Sequence, residues 1–279
     1  LMGFFTRVIT LPLRKLQDWS RNVAKGETDN EVRLDTSIKE VDSLSNDLEK
    51  MRRSLVELAE RMHYKAMHDE LTGLPNRAYL HTRMQQTLAR ARRSGHEVTV
   101  AFIDLDSFKS INDSFGHEYG DYLLAQVAEA MKSTVRESDT VSRLGGDEFV
   151  VVIEDSDEGP GADTLIERLF SCVGRYYSIG EYETYVTWSC GVVVYPRDGD
   201  DVHTLLKHAD TAMYAAKASG PNNYAFYDPS MSAQVSEQLA MRDELRLALQ
   251  KGQFEVYYQP IIDTRSGRIT SAEALLRWN

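Results

Sequence analysis

The sequence predicts an α/β (α+β) domain, a central and mainly antiparallel sheet flanked by helices, carried behind a helical segment. Three features predict it. The run VTVAFID at 98–104 is β-branched and apolar, as in a buried strand. SDTVSR (138–143) and EFVVVIE (148–154) flank Leu144-Gly145-Gly146-Asp147, which reads as a hairpin with a glycine turn. Upstream, Val41, Leu44, Leu48, Met51, Leu55, Leu58 and Met62 alternate three and four apart, a heptad seam.

In chain order, LMGFFTRVITLPL (1–13) is apolar but interrupted by Arg7, and it is shorter than the roughly 20 residues that span a bilayer. It reads as the last turns of a membrane helix or as the start of a short amphipathic one. Leu13, Leu16, Ser20 and Val23 continue a helix after Pro12. Gly26 to Thr36 is polar and mixed, a connector. The heptad seam that follows suits a parallel helical pair or one amphipathic helix packed on its own domain; its narrowness and charged flanks favour the pair. Residues 162–176 read as a helix, 184–196 as one long strand ending at Pro196, and 202–219 as a helix with Val202, Leu205, Leu206, Ala209, Ala212, Met213 and Ala216 on one face. A helical linker runs from Pro229 to about residue 251, and two strand-like stretches surround the turn Arg265-Ser266-Gly267.

The 279 residues carry a formal net charge of −11, which argues against broad nucleic-acid binding because a phosphate backbone would be repelled. It leaves a nucleotide open, since a bound Mg²⁺ needs carboxylates and reverses the local sign of charge. Cys172 and Cys190 sit in no metal-binding or disulfide spacing and read as buried thiols.

Phosphoryl transfer assisted by metal ions needs carboxylates from separate segments brought together. Asp104 and Asp106 end the buried strand, and Asp147 and Glu148 tip the glycine hairpin. A strand end beside a hairpin tip converges such acids, and Gly145 and Gly146 let a phosphate approach the backbone. Taken alone, the hairpin acids read better as ordinary solvated turn residues, since acids are common in turns.

The motifs together carry more. His68-Asp69-Glu70-Leu71-Thr72-Gly73-Leu74-Pro75-Asn76-Arg77, FIDLDSFKSINDSFGHEYGD (102–121), Gly145-Gly146-Asp147-Glu148-Phe149 and Ala209-Asp210-Thr211-Ala212-Met213-Tyr214-Ala215-Ala216-Lys217 follow one another across about 165 residues. In that order they resemble the GGDEF-type diguanylate cyclases, whose fold is like that of a polymerase palm. The resemblance implies condensation of two GTP to cyclic di-GMP with Mg²⁺ or Mn²⁺. Asp104, Asp147 and the carbonyl of Leu105 would hold the metal. Glu148 would complete the acidic cluster either as a further ligand or by assisting deprotonation of the attacking 3′-hydroxyl, and Asp104, Asp147 and Glu148 would be the catalytic acids. Asn112 and Asp121 would bind guanine, Lys109 and Lys217 would neutralise the triphosphate, and Gly145 and Gly146 would admit it. Phe108 would lie beneath the nucleotide or in the core. Arg136 and Asp139, of Arg136-Glu137-Ser138-Asp139, fit the family's inhibitory product site. The family usually has Gly-Arg-Asn after the last helix; here Gly220-Pro221-Asn222 offers neither charge nor N–H at Pro221, which puts one phosphate contact in doubt.

Residues 7–60 resemble a HAMP module, and Gln259, Glu273, Leu275 and Arg277 fit the opening of an EAL-type phosphodiesterase. The expected division is 1–62, membrane-helix end, HAMP and signalling helix; 63–228, the cyclase domain; 229–279, linker and first strands of a truncated EAL domain. Such a truncated piece is not expected to hydrolyse cyclic di-GMP. The expected setting is a homodimer paired through the HAMP and coiled-coil helices, soluble as this fragment. Its parent would sit at the cytoplasmic face of a bacterial inner membrane. The rival expectation is a weakly active or inactive domain that senses GTP or relays motion to a phosphodiesterase or receptor.

Overall fold

The computed structural model describes residues 10–24, 38–154, 162–179 and 182–278. The apolar opening up to residue 9 and the expected connector Gly26 to Thr36 lie outside them. The chain divides into two units, Leu1–Gly73 and Leu74–Asn279.

The first unit contains α1 (Leu11–Ala24) and α2 (Lys39–Met67). Leu16 and Trp19 of α1 pack with Val41 of α2, and Val23, Ile38 and Leu48 border them. Beyond that contact, the α2 seam residues Leu44, Met51, Leu55, Leu58 and Met62 stand exposed. No described helix is long and apolar enough to cross a membrane.

The second unit is the expected sheet with helices on both faces. Its elements are α3 (Arg77–Ser94), β1 (Val98–Leu105), α4 (Phe108–Phe115), α5 (His117–Thr134), β2 (Thr140–Gly145) and β3 (Glu148–Glu154), then α6 (Ala162–Val173), β4 (Tyr176–Ile179), β5 (Tyr182–Tyr185) and β6 (Trp188–Tyr195). They are followed by α7 (Val202–Ala218), β7 (Asn223–Phe226), α8 (Pro229–Gln250), β8 (Phe254–Ile262) and β9 (Ile269–Trp278). The main sheet runs β2-β3-β1-β6-β7; β6 and β7 pair in parallel and the other neighbours are antiparallel. β4–β5 and β8–β9 are separate two-stranded ribbons.

Because side chains alternate across a strand, β1 feeds two cores. Ala101, Ile103 and Leu105 join Phe149, Val151, Trp188 and Cys190 against Leu123, Val127 and Met131 of α5 and Ile166 of α6. Val98, Val100 and Phe102 join Val150, Val152 and Val193 against Leu80, Met84 and Leu88 of α3 and Leu205 and Ala209 of α7. Asp104 shares the parity of the second set, so it ends on the α3/α7 face.

Local chemistry starts and stops the helices as expected for capped elements. Asn76 Oδ1 accepts from the Ala78 and Tyr79 N–H groups at 3.0 and 3.1 Å and opens α3; such a cap contributes about 1 kcal/mol. Asp201 caps α7 in the same way through His203 and Thr204. Gly191 lets α7 lie directly on β6: a Cβ there would stand 1.9 Å from the Ala209 carbonyl oxygen.

After β1, Gly116 (φ +89°) turns the chain between α4 and α5. Two sequence expectations change. The helix expected over 162–176 ends at Val173, and Tyr176 opens β4. The long strand expected over 184–196 is broken after Tyr185: β5 pairs with β4 outside the main sheet, and Val186 donates to the Arg175 carbonyl at 3.1 Å.

Candidate active site

The end of β1 and the β2–β3 turn meet on the α3/α7 face. Asp104 and Glu148 are direct partners in the antiparallel β1–β3 register. The Leu105 N–H donates to the Asp147 carbonyl at 3.4 Å, tying the strand end to the turn. Gly145 and Gly146 adopt φ of +140° and +55°, values that exclude a side chain without strain. Arg143 holds this turn: its Nε and Nη2 donate to the Gly146 carbonyl at 3.0 and 2.8 Å. Its own N–H donates to the Pro75 carbonyl at 2.9 Å, fixing the approach to α3 beside the turn.

Asp104 is well covered, and its carboxyl is pushed up to about 6. Burial is the main cause; the Lys217 ammonium opposes it by hydrogen bond and charge, and Asp147 and Glu148 add to the rise. Lys217 Nζ lies 2.5 Å from Asp104 Oδ1. Glu148 is also raised, by burial first, against the pull of Arg77, with Asp210 and Asp147 adding repulsion. The Arg77 guanidinium stands 4.0 Å from the Glu148 carboxylate.

Asp106 departs from the expected convergence. Its Oδ1 accepts from Ser189 Oγ at 2.7 Å and its Oδ2 from the Asn222 N–H at 3.0 Å, so both oxygens serve the fold. Ser189 is the register partner of Asp104 on β6. Pro221 precedes Asn222, whose positive φ of 56° turns the chain into β7.

Among the described residues no group of three or more His, Cys, Asp or Glu is already drawn together as a metal cluster. The donor set nevertheless fits Mg²⁺ or Mn²⁺: Asp104, Asp147 and Glu148 offer hard carboxylate oxygens, and beyond the effect of burial Asp147 and Glu148 raise the Asp104 carboxyl while Asp147 raises that of Glu148, the mark of acids short of positive charge. Lys217 partly supplies that charge, so a cation at Asp104 would take over the contact that Lys217 now makes.

Asn112 lies on α4 where Gly120 of α5 faces it; a Cβ on Gly120 would stand 1.9 Å from Asn112 Oδ1 and 3.1 Å from the Phe108 ring. Asn112 Oδ1 is buried with no hydrogen-bond partner among the described residues, an acceptor ready for a donor. Asp121 follows Gly120 and is exposed, as is Lys109 on α4. Phe108 is buried in the core cluster. Between α5 and β2, Asp139 Oδ2 accepts from the Arg136 N–H at 3.0 Å, while the buried Oδ1 of Asp139 has no partner among the described residues. On the β8–β9 ribbon Gln259 and Glu273 are cross-strand partners, and Arg277 pairs with Glu255.

Arg77 and Asp210 stand within the sequence motifs, and the fold brings both to the acids. Asp210 stands two turns before Lys217 on α7, so both share one helix face; burial raises its carboxyl and Lys217 lowers it.

A strand-end acid, a glycine-turn acid pair and a flanking lysine thus share one end of the sheet. The profile described as "Diguanylate cyclase, GGDEF domain" matches residues 66–223, the HAMP domain matches 4–57 and the EAL domain matches 242–279. The chain belongs to the GGDEF family. It is 43% identical over 235 residues, 84% of its length, to the bifunctional diguanylate cyclase/cyclic di-GMP phosphodiesterase MucR of Pseudomonas aeruginosa, covering 33% of that protein. It is 36% identical over 277 residues, 99% of its length, to the cyclic di-GMP phosphodiesterase NbdA of the same organism, covering 34% of it. The chain thus spans about a third of the length of these relatives. Among solved structures, the GGDEF domain of TpbB (YfiN) from P. aeruginosa superposes with a TM-score of 0.57 at 33% identity, covering 61% of this chain and 99% of that one. The coiled coil and GGDEF domain of DgcB from Caulobacter crescentus, in complex with c-di-GMP, matches with a TM-score of 0.57 at 25% identity, over 66% of this chain and 97% of that one.

Proposed function

We propose that this chain is the regulated diguanylate cyclase part of a GGDEF–EAL signalling protein, condensing two GTP to cyclic di-GMP. The observation that carries the reading is the register pairing of Asp104 with Glu148 beside Asp147 and the bare Gly145-Gly146 turn. Bound Mg²⁺ or Mn²⁺ would supply charge neutralisation and polarise the phosphoryl oxygens. Asp104, Asp147, Glu148 and the Leu105 carbonyl are the groups assigned to hold it. Asn112 and Asp121 orient guanine, Asn112 through its buried Oδ1, which has no hydrogen-bond partner among the described residues, and a base unable to satisfy it is rejected. Lys217 and Lys109 meet the triphosphate as point charges. Glu148 assists removal of the 3′-hydroxyl proton; the freed oxygen bonds to the α-phosphorus of the second GTP, and pyrophosphate leaves.

Each domain holds one GTP, so two copies must face each other. The exposed seam of α2 is the surface assigned to that pairing, an orientation effect. Arg136 and Asp139 are assigned to product inhibition. The assigned division is 1–62, 63–228 and 229–279, with Gln259, Glu273 and Arg277 belonging to the EAL portion. The HAMP match supports a membrane-anchored parent whose cyclase faces the cytoplasm.

The test is incubation of the chain with GTP and Mg²⁺, with product measured by mass. Cyclic di-GMP should form and should vanish in Glu148→Gln. A second reading, a GTP-sensing relay for a phosphodiesterase, draws on Pro221 and on relatives named as phosphodiesterases. Folded, dimeric wild type that binds GTP yet forms no product would select it.

A further inference from the structure

The acidic trio Asp104, Asp147 and Glu148 meets two cations that are held very differently. Lys217 is in hydrogen-bond contact with Asp104 and its side chain is 34% exposed. Arg77 stands 4.0 Å from Glu148, outside hydrogen-bond distance, and is 71% exposed. An exposed ion pair at that separation contributes little to stability, yet the local structure fixes where Arg77 projects. It occupies the first position of α3, directly after the Asn76 cap. The preceding Pro75 carbonyl is bound by the Arg143 N–H, and the Arg143 guanidinium grips the Gly146 carbonyl. One residue therefore sets the start of α3 and the glycine turn at a fixed separation, and Arg77 is carried to the mouth of the site rather than left on a mobile tether.

We infer that Arg77 is a phosphate-binding residue for the nucleoside triphosphate, an inference that rests on the nucleotide reading above. Charge bookkeeping favours it. The trio carries three negative charges against the two positive charges of Lys217 and Arg77, and the chain after α7 presents Pro221, which has no charge to add. When Glu148 turns to a divalent cation, its weak hold on Arg77 is released. The guanidinium fork then has its donors available at the rim, where a phosphate chain leaving the metal would pass. Arginine suits that task because its planar fork matches two phosphate oxygens at once. Lys217 starts deeper, in contact with Asp104, and once displaced by the cation it would meet the phosphates from that side rather than from the Arg77 rim.

The test compares wild type, Arg77→Ala, Arg77→Gln and Arg77→Lys, each checked for native circular dichroism. Three probes are titrated: the α,β-methylene analogue of GTP with Mg²⁺, which cannot lose pyrophosphate; guanosine, which has no phosphate; and Mn²⁺ alone, followed by electron paramagnetic resonance. The expected result is about tenfold weaker analogue binding in the Ala and Gln variants. Guanosine and Mn²⁺ affinities should be unchanged, and Lys should restore part of the loss. Analogue binding that is unchanged in Arg77→Ala overturns the inference. So does an equal loss for all three probes, which would make Arg77 a positioning residue for Glu148. Wild type that binds none of the three overturns the nucleotide reading as well, whereas a deficit confined to the variants separates the two.

Discussion

Lys217 Nζ lies 2.5 Å from Asp104 Oδ1, bridging α7 and the end of β1 across 113 positions of sequence. The contact has a consequence for metal binding. Lysine and a divalent cation compete for one carboxylate, so Lys217→Met should bind Mn²⁺ alone more tightly than wild type while losing about a hundredfold in GTP turnover. Titration of Mn²⁺ without nucleotide, beside a turnover assay, checks both halves; weaker Mn²⁺ binding in the variant would contradict the competition.

A pH dependence follows from Asp104, whose carboxyl is raised from 3.8 to about 6. A raised acid holds its proton more firmly when folded than unfolded. Its contribution to stability is therefore fully present below about pH 4 and is lost as pH rises through about 6. Metal binding has the opposite dependence, because the proton must leave first. Cyclic di-GMP synthesis is expected to fall as pH drops through about 6, and the thermal stabilisation given by Mg²⁺ to grow as pH rises through the same window. A metal-induced shift in melting temperature that is flat from pH 5 to 8 would rule this out.

Two glycines should respond differently to alanine. At Gly191 the added Cβ meets backbone, the Ala209 oxygen at 1.9 Å and the Met213 nitrogen at 2.2 Å, so α7 must lift from β6 at a cost of about 3 kcal/mol. At Gly120 it meets the end of the Asn112 side chain, which can rotate away. Gly120→Ala should therefore stay folded and lose preference for GTP over ATP about tenfold, whereas Gly191→Ala should show a marked loss in urea unfolding. Equal effects in both assays would show that the two contacts are not distinct in kind.

The exposed α2 seam supplies a fourth expectation. Burying a leucine is worth about 2 kcal/mol, so Leu55→Asp with Leu58→Asp should shift the chain from dimer to monomer in sedimentation and depress synthesis at low protein concentration. Dimerisation that survives both substitutions would move the pairing surface elsewhere.

How much of this was legible in the sequence depended on range. The β1 run and the glycine hairpin were readable because their signals are local, and they led to the expectation that the strand end lies beside the hairpin tip; the register that pairs residues 104 and 148 came from the structure. The interruption between Tyr185 and Trp188 was not readable: Tyr, Val and Thr on both sides favour strand, and the break comes from distant partners, Arg175 for Val186 and Asp106, whose N–H donates to the Thr187 carbonyl at 2.9 Å. β7 escaped because four residues in a parallel pairing leave no periodic trace. Asp106 looked identical in kind to Asp104 until Ser189 and Asn222, both remote in sequence, claimed its oxygens. Arg77 stood in a recognised motif, yet only tertiary structure brought it to Glu148.

The two rims of the main sheet bear on how copies of this chain can meet. β7 is only four residues long. At the opposite rim, β2 is interrupted between Arg143 and Gly145, and the Arg143 amide is already spent on Pro75. Neither border offers a long row of vacant main-chain groups, so ribbon-to-ribbon stacking into fibres is discouraged. At the main sheet, self-association is left to side chains, whose interlocking can be made and unmade by a turn of a helix.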